Sequence, residues 1–297
     1  VRTVYIGTSE FAAAVLERLA GSEHRPSLVV TRPPRPRGRG QRVEPPPVAQ
    51  AAEAMEIDVI APTSINDEAT RQRIAGVNPD VVCVCAFGAL IEEPLLSAFQ
   101  MLNVHPSLLP RWRGAAPVER AIMAGDVETG ASIMRVTAGL DSGPVCLAAA
   151  EPIRPQDSYG SLAARLQDMG GQLLVRALED RPPFTEQEES GATYAEKIEA
   201  ADRLLDPARP AVELERVVRA LHPHIGARVA LPDGSFLRVL AAAVLDRGPA
   251  VGRIAAAGGR LVLGCAPGGL ELLALQAPGG RPMDAAAYLR GHGAPGG

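Results

Sequence analysis

The chain has 297 residues, 46% of them apolar and 22% charged, with a formal net charge of −4. That length holds two modest domains or one large α/β domain, and aromatics at 3% make any core aliphatic. Its four cysteines, Cys83, Cys85, Cys146 and Cys265, lack CxxC spacing and exclude a disulfide framework or a thiolate metal cluster, while no run reaches the ~18 apolar residues of a membrane span.

Val1 to Ile6 reads as a strand, Gly7-Thr8-Ser9 as a turn able to cap a helix over Glu10 to Ala20, and Ser27 to Thr31 as a second strand. The TRPPRPRGRGQRVEPPP that follows holds six prolines between Pro33 and Pro47. Such a composition is excluded from sheet and helix interiors and predicts an exposed loop. Val48 to Met55 reads as helix, Asp58 to Ala61 as strand and Asn66 to Ala75 as helix. DVVCVCA, Asp80 to Ala86, is the continuous apolar run of a strand buried on both faces of a parallel sheet, with Cys83 and Cys85 as buried free thiols. Met101 to His105 is a further strand. The alternation predicts a doubly wound, Rossmann-like α/β domain with a mostly parallel sheet. GTSEF after the first strand is not GxGxxG, and no P-loop occurs, so a dinucleotide or nucleoside triphosphate role has little support.

Ala115 to Ala124 reads as helix, Ala131 to Thr137 and Val145 to Ile153 as strands, and Ser158 to Leu178 as a long helix. The acidic stretch 185–203 reads as a linker, which bounds a domain over 1–184 and a second over 204–297. In the second, a helix from Val212 to Leu221 precedes short β runs: Ala227 to Leu231, Ser235 to Leu245, Ala250 to Ala255, Arg260 to Gly264 and Leu270 to Leu275. Their spacing predicts a small OB-like β-barrel, a shape often used on nucleic acids. Local charge agrees better with such a partner than the total does. Residues 204–297 carry ten arginines against seven acids, and Arg32 to Arg42 holds five arginines and no acid, although a solvated charge run has the same composition.

Asn103 and His105 stand two apart on one strand, so both side chains leave the same face. They sit at its carboxyl end, where open parallel sheets bind ligands. Alone, such a pair also fits a structural role, and Asp141, in GLDSG from Gly139 to Gly143, also fits a turn or cap. Gathered in one site, an amide donor, a proton carrier and an orienting acid suit acyl transfer through a tetrahedral intermediate, with no metal, bound phosphate or covalent nucleophile.

NVHPSLLPRWRGAAP, Asn103 to Pro117, together with GLDSG, resembles the folate-dependent formyltransferases. GTSEFAAAVLERL resembles their opening strand and helix, RPRGRG their arginine-bearing loop, CVCAFGALI the strand and turn beside the folate pocket, and TYAEKI the segment before the C-terminal domain. The resemblance implies 10-formyltetrahydrofolate as a formyl-donating cosubstrate, with no tightly bound cofactor or metal. The RWRGAAP continuation is similar to members whose acceptor is initiator methionyl-tRNA. By position in the motifs, Asn103, His105 and Asp141 take the catalytic places. Phe87, Gly88 and the turn Ser107, Leu108, Leu109 and Pro110 meet the folate, and Arg39 and Arg42 meet tRNA. Trp112 reads equally as a stacking platform or as packing beneath a loop. The chain departs from the usual pattern at Pro34, where Asp is common, at Phe87, where Tyr is common, and in LHPHIGARV, which lacks a frequent Trp. Rival readings keep the fold but give the formyl group to a nucleotide-sugar amine or to water, or keep only RNA binding. A cytoplasmic monomer with no membrane contact is expected.

Overall fold

The computed structural model describes residues 1–37, 42–293 and 295. The chain divides into two compact units that are not contiguous in sequence. One comprises Val1–Pro117, Glu128–Pro152 and Ala163–Ala195; the other comprises Val118–Val127, Ile153–Leu162 and Glu196–Gly297.

The first unit opens with β1 (Thr3–Gly7) and α1 (Glu10–Ala20). Ser9 caps this helix, its side chain accepting the Ala12 N–H, and Glu10 places a negative charge in the first turn, where the helix dipole favours it. There follow β2 (Pro26–Val30), the short β3 (Arg35–Arg37) and β4 (Arg42–Glu44), α2 (Pro47–Ala54), β5 (Val59–Ile60) and α3 (Glu68–Val77). Next come β6 (Val81–Cys85), α4 (Leu95–Ala98), β7 (Met101–His105) and the two-residue β8 (Arg113–Gly114). After α5 (Pro117–Ala124), which groups almost entirely with the second unit, β9 (Glu128–Arg135) and β10 (Val145–Pro152) precede α6 (Tyr159–Asp180), and β11 (Tyr194–Ala195) ends the first unit.

Seven strands form one sheet in the order β10-β9-β7-β6-β1-β2-β5. The run from β5 to β7 is parallel; β9 and β10 are antiparallel additions at the β7 edge. The doubly wound, mostly parallel domain expected from the apolar runs is thus present. Period-two alternation sorts the strand residues between the faces. Val4, Ile6, Val82, Val84 and Met101 pack with Ile74 of α3 and Leu95 of α4. Val104 lies on the α6 side: a Cβ built on Gly170 would come 2.7 Å from its Cγ1, so only glycine lets the helix approach so closely. Cys83 and Cys85 are fully buried, and burial pushes both thiols up to about 12, which leaves them neutral and inert at ordinary pH.

The proline-rich stretch after β2 differs from the loop expected. Arg35–Arg37 and Arg42–Glu44 pair antiparallel, with Pro36 opposite Val43. A two-stranded ribbon has only edge strands, where proline's missing N–H need not break a ladder.

In the second unit, a short 3-10 turn (Ala201–Arg203) leads to α7 (Ala211–Leu221) and the strands β12 (Ala227–Ala230), β13 (Phe236–Leu245), β14 (Ile254–Ala257), β15 (Arg260–Gly264), β16 (Gly269–Gln276) and β17 (Met283–Asp284), then α8 (Ala285–His292). The antiparallel order is β12-β13-β16-β15-β14, with β17 on β16. Register shifts at Val239 to Ala242 bend the ten-residue β13, and the curled sheet folds its apolar face over Leu214, Val217, Val218 and Leu221 of α7. The result is the OB-like half-barrel expected. Three details depart from the sequence reading: β14 starts at Ile254 because 250–252 turns instead, the two-residue β17 is too short to show a period, and α8 is rich in alanine and only eight residues long.

Close approach also governs β9. A Cβ on Gly130 would stand 2.1 Å from the Ala149 carbonyl oxygen and 2.6 Å from Leu108 Cδ2. Gly130→Ala is expected to lower stability by about 1–3 kcal/mol, read as an earlier urea midpoint at unchanged m value.

Candidate active site

The register of the sheet assembles the site from the end of β7 outward. Asn103 lies between Val84 of β6 and Met134 of β9, and His105 lies opposite Ser132. With Val104 turned toward α6, the two polar side chains share the opposite face. Beyond β7 the chain folds into a tight turn held by its own hydroxyls. Ser107 Oγ donates to the Arg111 carbonyl at 2.7 Å; Ser132 Oγ donates to the Ser107 carbonyl at 2.7 Å and accepts the Leu109 N–H at 3.2 Å.

At the end of this turn Trp112 has a φ of 62°, in the left-handed region. Its carbonyl oxygen stands 2.8 Å from His105 Nε2. A carbonyl only accepts, so Nε2 carries a hydrogen, and in the neutral ring Nδ1 is the basic nitrogen. Nδ1 faces Asp141 Oδ2 at 3.6 Å, too far for a direct hydrogen bond yet close enough to stabilise a proton arriving there. The ring is 4% exposed, while the Asp141 side chain keeps 20% of its surface. The Trp112 ring itself is partly covered by the Arg111 guanidinium, 4.5 Å from its centroid.

Asp141 belongs to a second strained turn, with a φ of 43°. Gly143 is required beside it: a Cβ there would fall 2.0 Å from the Arg135 carbonyl oxygen. Asp141 Oδ2 accepts the Gly114 N–H at 2.9 Å, and Oδ1 lies 3.5 Å from Asn103 Nδ2. The structure therefore brings Asn103, His105 and Asp141 into one cluster with a carboxylate at its centre.

The other residues singled out by sequence distribute as follows. Phe87 is buried in the sheet core and borders a cavity of about 110 Å³ together with Arg32, Asn66 and Leu90. Gly88 has a φ of 73°, and its carbonyl accepts from Arg32 Nη1 at 2.6 Å. Leu109 and Pro110 border a different, larger hollow of about 510 Å³, shared with Cys146 and Gln187. Ser107 is fully buried, with hydroxyl and carbonyl both spent on the turn, and Leu108 packs at Gly130. Of the folate-contact candidates, Phe87 thus borders one hollow and Leu109 and Pro110 another, whereas Gly88, Ser107 and Leu108 line neither. Arg39 lies outside the described residues; Arg42 begins β4.

The sequence reading does not single out several residues that complete the cluster, although Arg113 and Gly114 lie in RWRGAAP and Thr193 in TYAEKI. Gly114 holds Asp141 by its main chain, and Thr193 Oγ1 accepts the Trp112 N–H at 2.9 Å. Arg113 is 2% exposed, with its guanidinium on Gln187 and Glu189. The only hint of Gln187 is that it is the single amide within the acidic run EQEES. Among the described residues, no group of three or more His, Cys, Asp or Glu is placed to hold a metal ion, and no helix is long and apolar enough to cross a membrane.

Comparison with known proteins matches residues 1–178 to the formyl transferase family and residues 197–293 to the formyl transferase C-terminal domain. Methionyl-tRNA formyltransferase of Dechloromonas aromatica is 38% identical over 295 residues, covering 98% of this chain and 96% of its own. The protein of the same name from Methylococcus capsulatus is 41% identical over 300 residues, covering 98% and 97%. Among solved structures, HypX from Aquifex aeolicus in complex with tetrahydrofolic acid superposes with a TM-score of 0.65 at 16% identity, over 97% of this chain and 46% of that one. WlaRD, a sugar 3N-formyl transferase, superposes with a TM-score of 0.63 at 13% identity, over 92% and 96%. At those identities the two structures share the fold alone.

The imidazole geometry has a direct readout. In ¹⁵N-labelled protein with neutral His105, the Nε2 resonance should carry the proton and Nδ1 should show the shift of an unprotonated nitrogen; the reverse pattern would refute the orientation.

Proposed function

The chain belongs to the formyl transferase family, and from that membership we propose that it transfers a formyl group from 10-formyltetrahydrofolate to the free amino group of methionyl initiator tRNA, for translation initiation. The observation that carries the chemistry is the convergence of Asn103, His105 and Asp141 at the carboxyl end of β7. The acceptor rests on full-length relatives at about 40% identity that bear the name methionyl-tRNA formyltransferase.

The aminoacyl nitrogen attacks the formyl carbon, forming a C–N bond and a tetrahedral intermediate. Charge collects on the former formyl oxygen, to which the Asn103 amide donates a hydrogen bond. His105 Nδ1 takes the proton shed by the attacking nitrogen, and Asp141, 3.6 Å away, stabilises the resulting imidazolium. The imidazole then returns that proton to N10 of the folate as the N10–carbon bond breaks. General acid–base catalysis of this kind contributes roughly 10²–10⁴-fold. No covalent enzyme intermediate is needed.

Phe87, Gly88 and the turn from Ser107 to Pro110 are assigned to the folate. Residues 1–184 form the catalytic part in this reading, 185–203 connect, and 204–297 bind tRNA, helped by Arg39 and Arg42 on phosphates or the terminal base pair near the acceptor end. The arginine excess after residue 203 supports that assignment.

Incubation with 10-formyltetrahydrofolate and initiator methionyl-tRNA should yield formylmethionyl-tRNA, whereas preferred transfer to a nucleotide-sugar amine, or release of free formate, would overturn the acceptor. In the same assay Asn103→Ala should lower kcat by about 10²–10³-fold. Arg39→Ala and Arg42→Ala should each reduce the salt slope of tRNA binding by about 1; an unchanged slope would remove them from the interface.

A further inference from the structure

Asp141 and its turn are gripped by two neighbouring residues. Gly114 donates its N–H to the carboxylate, and the Gln187 amide nitrogen donates to the carbonyls of Asp141, at 2.8 Å, and Gly143, at 2.6 Å. Those carbonyls bracket Ser142, directly after the residue whose φ of 43° is left-handed. Gln187 therefore acts on the conformation of the turn itself.

A glutamine amide can be turned either way round, and only one orientation serves here. Arg113 Nε lies 3.0 Å from Gln187 Oε1. A guanidinium only donates, so it demands the amide oxygen and leaves both amide hydrogens for the two carbonyls. Arg113 is in turn oriented by Glu189, whose carboxylate accepts from Nη1 at 3.1 Å and from Nη2 at 2.9 Å. This bidentate pair fixes the guanidinium plane. Glu189 also keeps the Arg113 guanidinium above the ordinary arginine range, so the arginine remains a donor throughout.

The backbone brings these groups together from distant parts of the sequence. Arg113 and Gly114 form β8, paired in parallel with Tyr194 and Ala195 of β11. Thr185 pairs with Val145 through two 2.9 Å hydrogen bonds, and Phe184 receives the Arg135 guanidinium 4.4 Å from its ring centroid. Residues 184–195 are thus laid along the first unit as a clasp, with Gln187 between its two anchor points.

We propose that Gln187 is a positioning residue for the catalytic carboxylate: with its amide oriented by Arg113 and Glu189, it sets the bend that holds Asp141 opposite His105 Nδ1. The proposal rests on the reading of Asp141 as part of the catalytic cluster. The Gln187 amide spends its oxygen on Arg113 and its nitrogen on the two carbonyls of the turn, so its loss should weaken the rate step rather than substrate capture.

The test compares Gln187→Met, which keeps the volume and removes both donors, with Gln187→Glu. The latter keeps the Arg113 contact and so protects the fold, but aims an oxygen at the two carbonyls. Each is made alone and with Asp141→Asn, in the full chain, and assayed with 10-formyltetrahydrofolate and initiator methionyl-tRNA. Both single variants should lose about 10–100-fold in kcat, with the KM of each substrate within about threefold of the parent. In the Asp141→Asn background the same changes should cost less than about threefold, because the carboxylate they position is already gone. Either variant retaining kcat within twofold, or losing the same factor with and without Asp141, would overturn the proposal. An Asp141→Asn single variant with parental kcat would instead sink the catalytic reading beneath it.

Discussion

A 2.9 Å hydrogen bond from the Gly114 N–H to Asp141 Oδ2 joins the two strained turns on which the site is built. One turn ends β7 and carries Trp112 at φ 62°; the other precedes β10 and carries Asp141 at φ 43°. Non-glycine residues in the left-handed region cost of order 1–3 kcal/mol each and persist only where their surroundings over-determine them. Here the surroundings are polar. Ser107, Ser132 and Thr193 hold the first turn, while Gln187 holds the second. The stiff sheet beneath supplies the fixed frame, and the hydrogen bonds supply the aim.

Such a network stabilises its geometry only when complete. The Arg113 guanidinium, almost wholly withdrawn from water, would be a severe burden without partners. Its side-chain bonds include one to an amide oxygen and two to a carboxylate that keeps most of its own surface in solvent. The charge is buried at one end and hydrated at the other, which lowers the cost of removing it from bulk water. A similar pattern appears in the second unit, where Arg120 grips both oxygens of Asp202 at 3.1 and 2.9 Å and the backbone carbonyls of Glu196 and Lys197.

The sheet was legible because its strands are buried on both sides: VVCVC and TVYIG admit few other structures. The pairing of Asn103 with His105 followed from period two, whereas the place of Asp141 beside them came from the motif resemblance, since its glycine-bounded turn alone fits a cap equally well. What escaped the sequence shares a different cause. The two-residue strands β8 and β11 have no periodicity, since their existence depends on partners some 80 residues apart. Gln187 lies in an acidic run whose composition reads as a solvated connector, yet its amide is committed to two backbone carbonyls. Tertiary contact overrides composition at those positions. The pairing of β3 with β4 escaped because proline is excluded from strands with two neighbours, and each of these has one.

That a main-chain oxygen, rather than a side chain, selects the His105 tautomer separates two burdens at position 112. The acceptor belongs to the main chain, so its presence does not depend on the indole. What the position resists is any residue that refuses a left-handed backbone, the β-branched ones first and proline absolutely. The proton inventory of the imidazole is accordingly guarded by torsional preference.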